Sequence, residues 1–148
     1  MELTDLEKLK SWILTFPNWD GKTVVADCIP NQPNLLSIVP QGLRVIGHKQ
    51  DLLGNCRQRL QSDYTLYYTG LGSAHAWEDA DTMAAFQLWA QAQNAQGRCP
   101  HFGDTPNEQL SARQGKLLRL DKLGLSIYTV QITVTYEKNY EVNENGKN

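Results

Sequence analysis

Charge of either sign is scarce and balanced in this chain, and so is chemistry-bearing histidine and cysteine. Among 148 residues there are 14 basic and 16 acidic side chains, a net charge of -2. Non-specific nucleic-acid binding draws on clustered Lys and Arg to neutralise phosphates, and no overall basic excess supports it here. Three cysteines, Cys28, Cys56 and Cys99, contain no CxxC pair. A structural zinc site needs four ligands at short paired spacings. Cys99-Pro100-His101 supplies two potential ligands without a second pair nearby, so isolated thiols in a reducing compartment are expected. No apolar run approaches the roughly 20 residues of a membrane span, and mean hydropathy is -0.48. The opening Met1-Glu2-Leu3-Thr4-Asp5 is acidic and lacks the basic start and apolar core of a secretory leader. Synthesis in the cytoplasm is the expectation.

Catalytic motifs are missing as well. There is no G-x-S-x-G elbow, and Gly72-Ser73-Ala74-His75 lacks its strand–turn–helix setting. Gln114-Gly115-Lys116-Leu117 has a GK pair without the upstream glycine or the following hydroxyl of a phosphate loop. His48 and His75 read as solvent-facing polar residues. Glu78, Asp79 and Asp81 precede or open a helix, where carboxylates serve capping and the dipole before they serve a cation. No catalytic residue, cofactor site or metal site is expected.

What the chain does contain is regular patterning. Its hydrophobic content of 41% suits one soluble domain. Thr4 and Glu7 make a capping box, and Leu6, Leu9, Ile13 and Phe16 then form one apolar helical stripe that Pro17 ends. Thr23 to Ile29, Leu35 to Val39 and Leu43 to His48 read as short strands separated by Pro30, Asn31-Gln32-Pro33-Asn34 and Pro40-Gln41-Gly42. From Cys56 to Tyr68 the period is two, putting Leu60, Tyr64, Leu66 and Tyr68 on one face. That run would extend about 43 Å at ~3.3 Å per residue, and its polar start, Arg57-Gln58-Arg59, is expected to project past the core. A second helix from about Asp79 to Gln96 presents Met83, Phe86, Trp89 and Ala90. After a loop over Arg98 to Gln109, Tyr128, Val130, Ile132, Val134 and Tyr136 alternate on a further strand, with Leu117 to Leu120 pairing back on it. Residues 1–141 form one domain in this reading, and 142–148 a polar, disordered tail. The fold class is α+β, an antiparallel β-sheet with two helices packed on one face.

Two sets of residues suggest contact surfaces. Arg113, Lys116, Arg119 and Lys122 recur every third residue. They read either as a solvated edge that discourages unwanted strand pairing or as a basic contact for a partner subunit. Such a partner would meet acids elsewhere in the chain, Glu2, Asp5, Glu7, Asp79 and Asp81, in a head-to-tail ring. Trp12 and Trp89 read as core, whereas Trp19 and Trp77 fall in expected loops and are candidate interface anchors.

Taken together, several segments resemble the tail-terminator, or tail-completion, proteins of tailed bacteriophages and phage-like particles. They are Leu9-Lys10-Ser11-Trp12-Ile13, Pro40-Gln41-Gly42-Leu43, Asp51-Leu52-Leu53-Gly54-Asn55, Tyr64-Thr65-Leu66-Tyr67, Phe86-Gln87-Leu88-Trp89, Pro100-His101-Phe102-Gly103-Asp104, Gly115-Lys116-Leu117 and Tyr128-Thr129-Val130-Gln131-Ile132. The resemblance spans about residues 3 to 140. It implies a homo-oligomeric ring, a hexamer, that caps the tail tube and ends its polymerisation. The ring would meet tail tube, sheath, and a neck, connector or collar protein. No cofactor, catalysis, membrane or sequence-specific nucleic acid is implied, and the protein would be part of the virion or tail-like particle. Another head–tail joining protein, or a small acyltransferase-like α+β enzyme, is the alternative.

Overall fold

Capping decides where the chain first becomes regular. In the computed structural model, which describes residues 4–19, 23–26, 35–70, 76–120 and 126–140, helix α1 runs Asp5–Ile13. Glu7 N donates to Thr4 Oγ1 at 3.2 Å and Thr4 N to Glu7 Oε2 at 3.0 Å, so the reciprocal box satisfies two donors of the first turn. The stripe read from the sequence is the buried one: Leu9 and Ile13 are fully enclosed and Phe16 nearly so. The remaining elements are β1 (Thr23–Ala26), β2 (Leu35–Gln50), β3 (Cys56–Gly70), α2 (Ala76–Ala95), β4 (Gln109–Leu120) and β5 (Ser126–Tyr140).

The strands form one sheet in the order β1-β2-β3-β5-β4. The fold is α+β, as the patterning predicts. All pairings are antiparallel except that of β1, which lies parallel to β2 from Thr23↔Leu35 to Ala26↔Ile38 and makes the sheet mixed. The alternation in β3 and β5 sorts residues as expected. Leu60, Tyr64, Leu66 and Tyr68, with Tyr128, Val130, Ile132, Val134 and Tyr136 across from them, are buried in one core. Met83, Phe86 and Ala90 of α2 close that core from the helix side. Trp12 and Phe16 meet Phe86 edge-on at ring-centroid distances of 6.3 and 5.5 Å, an arrangement aromatic quadrupoles favour.

Several boundaries differ from the sequence reading, each for a physical reason. The two runs Leu35 to Val39 and Leu43 to His48 are one strand, β2. Pro40 is tolerated because, among the described residues, β1 pairs no further than Ile38, which leaves Pro40 on an edge, and a bulge follows at Pro40/Gly42, where Gly42 takes φ 130°. Strand β4 begins at Gln109 rather than Leu117, its pairing with Thr135 and Val134 carrying it back toward the loop. Helix α2 begins at Ala76, ahead of the expected Asp79. The expected turn at 31–34, the Gly70-Leu71-Gly72-Ser73 break beyond residue 70, and the 142–148 tail lie outside the described residues.

Candidate assembly surfaces

Past the reach of the helices, β2, β3 and β5 continue together as a three-stranded arm. Pairing extends to Gln50↔Cys56 and Cys56↔Tyr140. At its tip, Asp51 Oδ1 accepts from Leu53 N and Asn55 N, both at 2.9 Å, and Asp51 N donates to Asn55 O. Desolvation works upward on this carboxyl, but the hydrogen bonds from Asn55, Leu53 and Gly54 prevail and hold it below its ordinary value. The turn is thereby fixed, and Leu52 and Leu53 stand in solvent at 105% and 83% relative exposure.

The base of the arm is locked by a buried carboxylate. Glu137 Oε2 lies 3.4 Å from Arg57 Nε, and its Oε1 lies 3.6 Å from Arg59 Nη1 and accepts from Asn107 Nδ2 at 2.8 Å. Asp104 N donates to Glu137 O, and Asn139 N to Asp104 Oδ2, so the loop before β4 covers the outer side of β5. Gly103 is what permits the approach, since a Cβ there would sit 2.5 Å from Glu137 O. Glu108 orders the same loop, accepting from Phe102 N and Gly103 N while pairing with His101 Nδ1.

Where the arm begins, β3 and β5 keep the helix-facing row buried as far as Leu60 and Tyr136, and β2 alone leaves it bare. Leu43 is opposite Ser62 and Val45 opposite Leu60, both in register with that row, yet they are 61% and 54% exposed. Ile46 next to them, and Tyr140 at the far end of the arm opposite Cys56, are exposed as well. Among the described residues, no backbone bond covers the outer side of β2 from Leu43 to Gln50.

Of the residues singled out in the sequence, Arg113 and Lys116 lie exposed on β4, an edge strand. Residues three apart on a regular strand point to opposite faces. Two bulges undo that: Arg113 is opposite Gln131 and Lys116 opposite Thr129, then Leu117 is opposite Tyr128 and Arg119 opposite Ile127. Each bulge inserts one residue, so all three basic positions fall in one row of the register. The first is built on Gln114 at φ 58° and is tied to α2 by Gly115 N donating to Gln87 Oε1 at 3.1 Å. The side chain of Arg119, and Lys122 altogether, lie outside the described residues.

The tryptophans require a correction. Trp19 is 5% exposed, stacked near Phe16, Phe86 and Tyr68, with its Nε1 donating to Ile13 O at 2.7 Å. It is a core residue, because the turn after α1 folds the chain back over the sheet, and it is not an exposed anchor. Trp77 belongs to the first turn of α2 and not to a loop; its side chain lies outside the described residues. Trp12 is buried as expected, bonded through Nε1 to Arg98 O.

Two titratable groups beneath these surfaces are shifted by burial. Burial pushes the Tyr64 phenol up to about 12 and, with Glu108 nearby, the Cys99 thiol up to about 11, so both stay protonated near neutrality. Among the described residues no group of three or more His, Cys, Asp or Glu converges on a metal position, and no helix is long and apolar enough to cross a membrane. Sequence reasoning missed Leu43, Val45, Leu52 and Leu53 as a surface. For Leu43 and Val45 the signal is an apolar alternation that resumes after Pro40-Gln41-Gly42, and for Leu52 and Leu53 an apolar pair inside a turn.

No protein-family model matches this chain, and no curated protein sequence matches it.

Proposed function

We propose that this chain is a structural assembly protein of a tailed bacteriophage or phage tail-like particle. Copies of it close into a ring, six by the resemblance, that caps the tail tube and ends its polymerisation. The ring's other side docks the neck, connector or collar, and sheath protein where the tail has one. It carries no cofactor and catalyses no reaction in this reading. The supporting observation is the arm, whose β2 margin and tip turn leave Leu43, Val45, Ile46, Leu52 and Leu53 in water. A large apolar side chain kept from burial forgoes about 1.5–3 kcal/mol. An ordered arm that leaves five uncovered is suited to a partner that covers them.

Negative-stain microscopy of particles made with and without this protein tests the reading. Tails of uncontrolled length, or with unfinished ends, are expected in its absence. The variant Leu43→Asp/Val45→Asp is expected to give the same defect. Normal tails that fail to join heads would move the protein to the neck, and wholly normal particles would refute an assembly role.

A further inference from the structure

At the base of the arm, on the sheet face turned away from the helices, three cations gather around a cavity of about 280 Å³. Register sets Lys49 opposite Arg57 and, one row along the same face, Gly47 opposite Arg59. Those rows continue across β3 to Asn139 and Glu137 on β5. Asn107, from the loop before β4, bounds the far side through its bond to Glu137. Gly47 adds no side chain to the floor, and a Cβ there would already come within 3.3 Å of Arg59 Cβ. The space above it is open because the residue is glycine.

Like charges directly across a strand pair destabilise it, yet Lys49 faces Arg57 with Arg59 beside them. Glu137 is the one carboxylate lining the cavity. It is 7% exposed, and its oxygens are taken by Arg57 Nε, Arg59 Nη1 and Asn107 Nδ2. It therefore holds both guanidiniums in place from beneath. Arg57 Nε also donates to Asn139 Oδ1 at 3.2 Å, and Arg59 Nη2 to Thr135 Oγ1 at 3.3 Å. Among the described residues, the Nη groups of Arg57 make no hydrogen bond, and Lys49 makes neither hydrogen bond nor ion pair. Asp104, on the same loop as Asn107, is turned to Asn139 N and does not line the cavity. Lys49, Arg57 and Arg59 against Glu137 leave two positive charges uncompensated there.

We propose that this cavity binds a phosphoryl dianion, either inorganic phosphate or the terminal phosphate of a small phosphomonoester. Such a group carries about -1.5 to -2 charges near neutrality, which matches the uncompensated charge. A carboxylate would leave one cation unmatched. The guanidinium fork of Arg57 suits paired oxygens, and Lys49 adds a point charge from the neighbouring strand. A nucleic-acid backbone is the weaker fit, because each diester phosphate brings one charge and the loop carrying Asn107 blocks a continuous track across the face. The site lies on the opposite side of the sheet from Leu43 and Val45, so it stands or falls independently of the assembly reading.

Isothermal titration calorimetry of the purified full chain, at low ionic strength and about pH 7.5 so that the second phosphate proton is lost, supplies the test. Saturable one-to-one binding is expected for inorganic phosphate or for glycerol 3-phosphate. Tighter binding of the ester would place the phosphoryl group on an organic molecule, and equal or tighter binding of the free ion would assign the site to phosphate itself; both support the proposal. Lys49→Gln should weaken binding about tenfold. Gly47→Leu, which fills the space and leaves every charge in place, should weaken it as much, with circular dichroism unchanged for both. Arg44→Gln removes a cation from the same face outside the cavity and should change binding by less than about twofold. No saturable heat with either phosphate, or equal losses at Lys49→Gln and Arg44→Gln, would overturn the proposal. So would acetate binding as tightly as phosphate, which would make the site a carboxylate contact, or an oligothymidine probe binding more tightly than the ester, which would give the face to nucleic acid.

Discussion

Strands β3 and β5 on one hand and the second half of β2 on the other carry the same inward row, and differ in whether anything lies over it. Under the helices, the inward row of β3 and β5 is sealed: Leu66, Val130 and Ile132 are fully buried. On β2 the same row carries Leu43 and Val45, more than half exposed although Leu60 and Tyr136, level with Val45, are buried. The backbone pairing is continuous across the boundary. Alternation in sequence therefore specifies a face, and burial follows only where something covers it. The covered part stabilises the molecule, and the uncovered part is available to a partner.

Substitutions across that boundary should separate the two contributions. The largest effect is expected at Trp19→Ala in the covered region, a loss of about 3–5 kcal/mol in urea unfolding. A loss under 1 kcal/mol would return Trp19 to the surface role its position after Pro17 suggests. Glu137→Gln, at the junction, should cost about 1–3 kcal/mol by weakening the hold on Arg57 and Arg59. Hydrogen exchange should then rise first in the arm strands, and uniform acceleration over the whole sheet would show the junction is not where the regions divide. The smallest effect is expected at Leu43→Ser/Val45→Ser, within about 0.5 kcal/mol for the isolated chain. A larger loss would mean that the arm face is already covered within one copy.

Much of the covered region was legible in the sequence. The Thr4–Glu7 box, the Leu9–Ile13 stripe, the α2 face and the period-two runs of β3 and β5 are local patterns, and local backbone geometry realises them. What was not legible depends on contacts between distant segments. Pro40 reads as a stop until β1 is seen to end before it. Trp19 reads as a loop residue until Phe86 and Tyr68 are found around it. Basic residues three apart read as a scattered edge, because a bulge has no reliable mark in a single sequence. The projection of Arg57-Gln58-Arg59 was anticipated, but not that Glu137 would anchor it.

The bulges also fix how β4 tolerates change in length. Exchanging Gln114 for another residue alters one side chain. Deleting it would remove the residue that the bulge inserts, leaving Gly115 opposite Val130 and Lys116 still opposite Thr129. A single lost codon there would therefore be absorbed, the bulge giving up its spare residue while the basic margin keeps its side of the sheet.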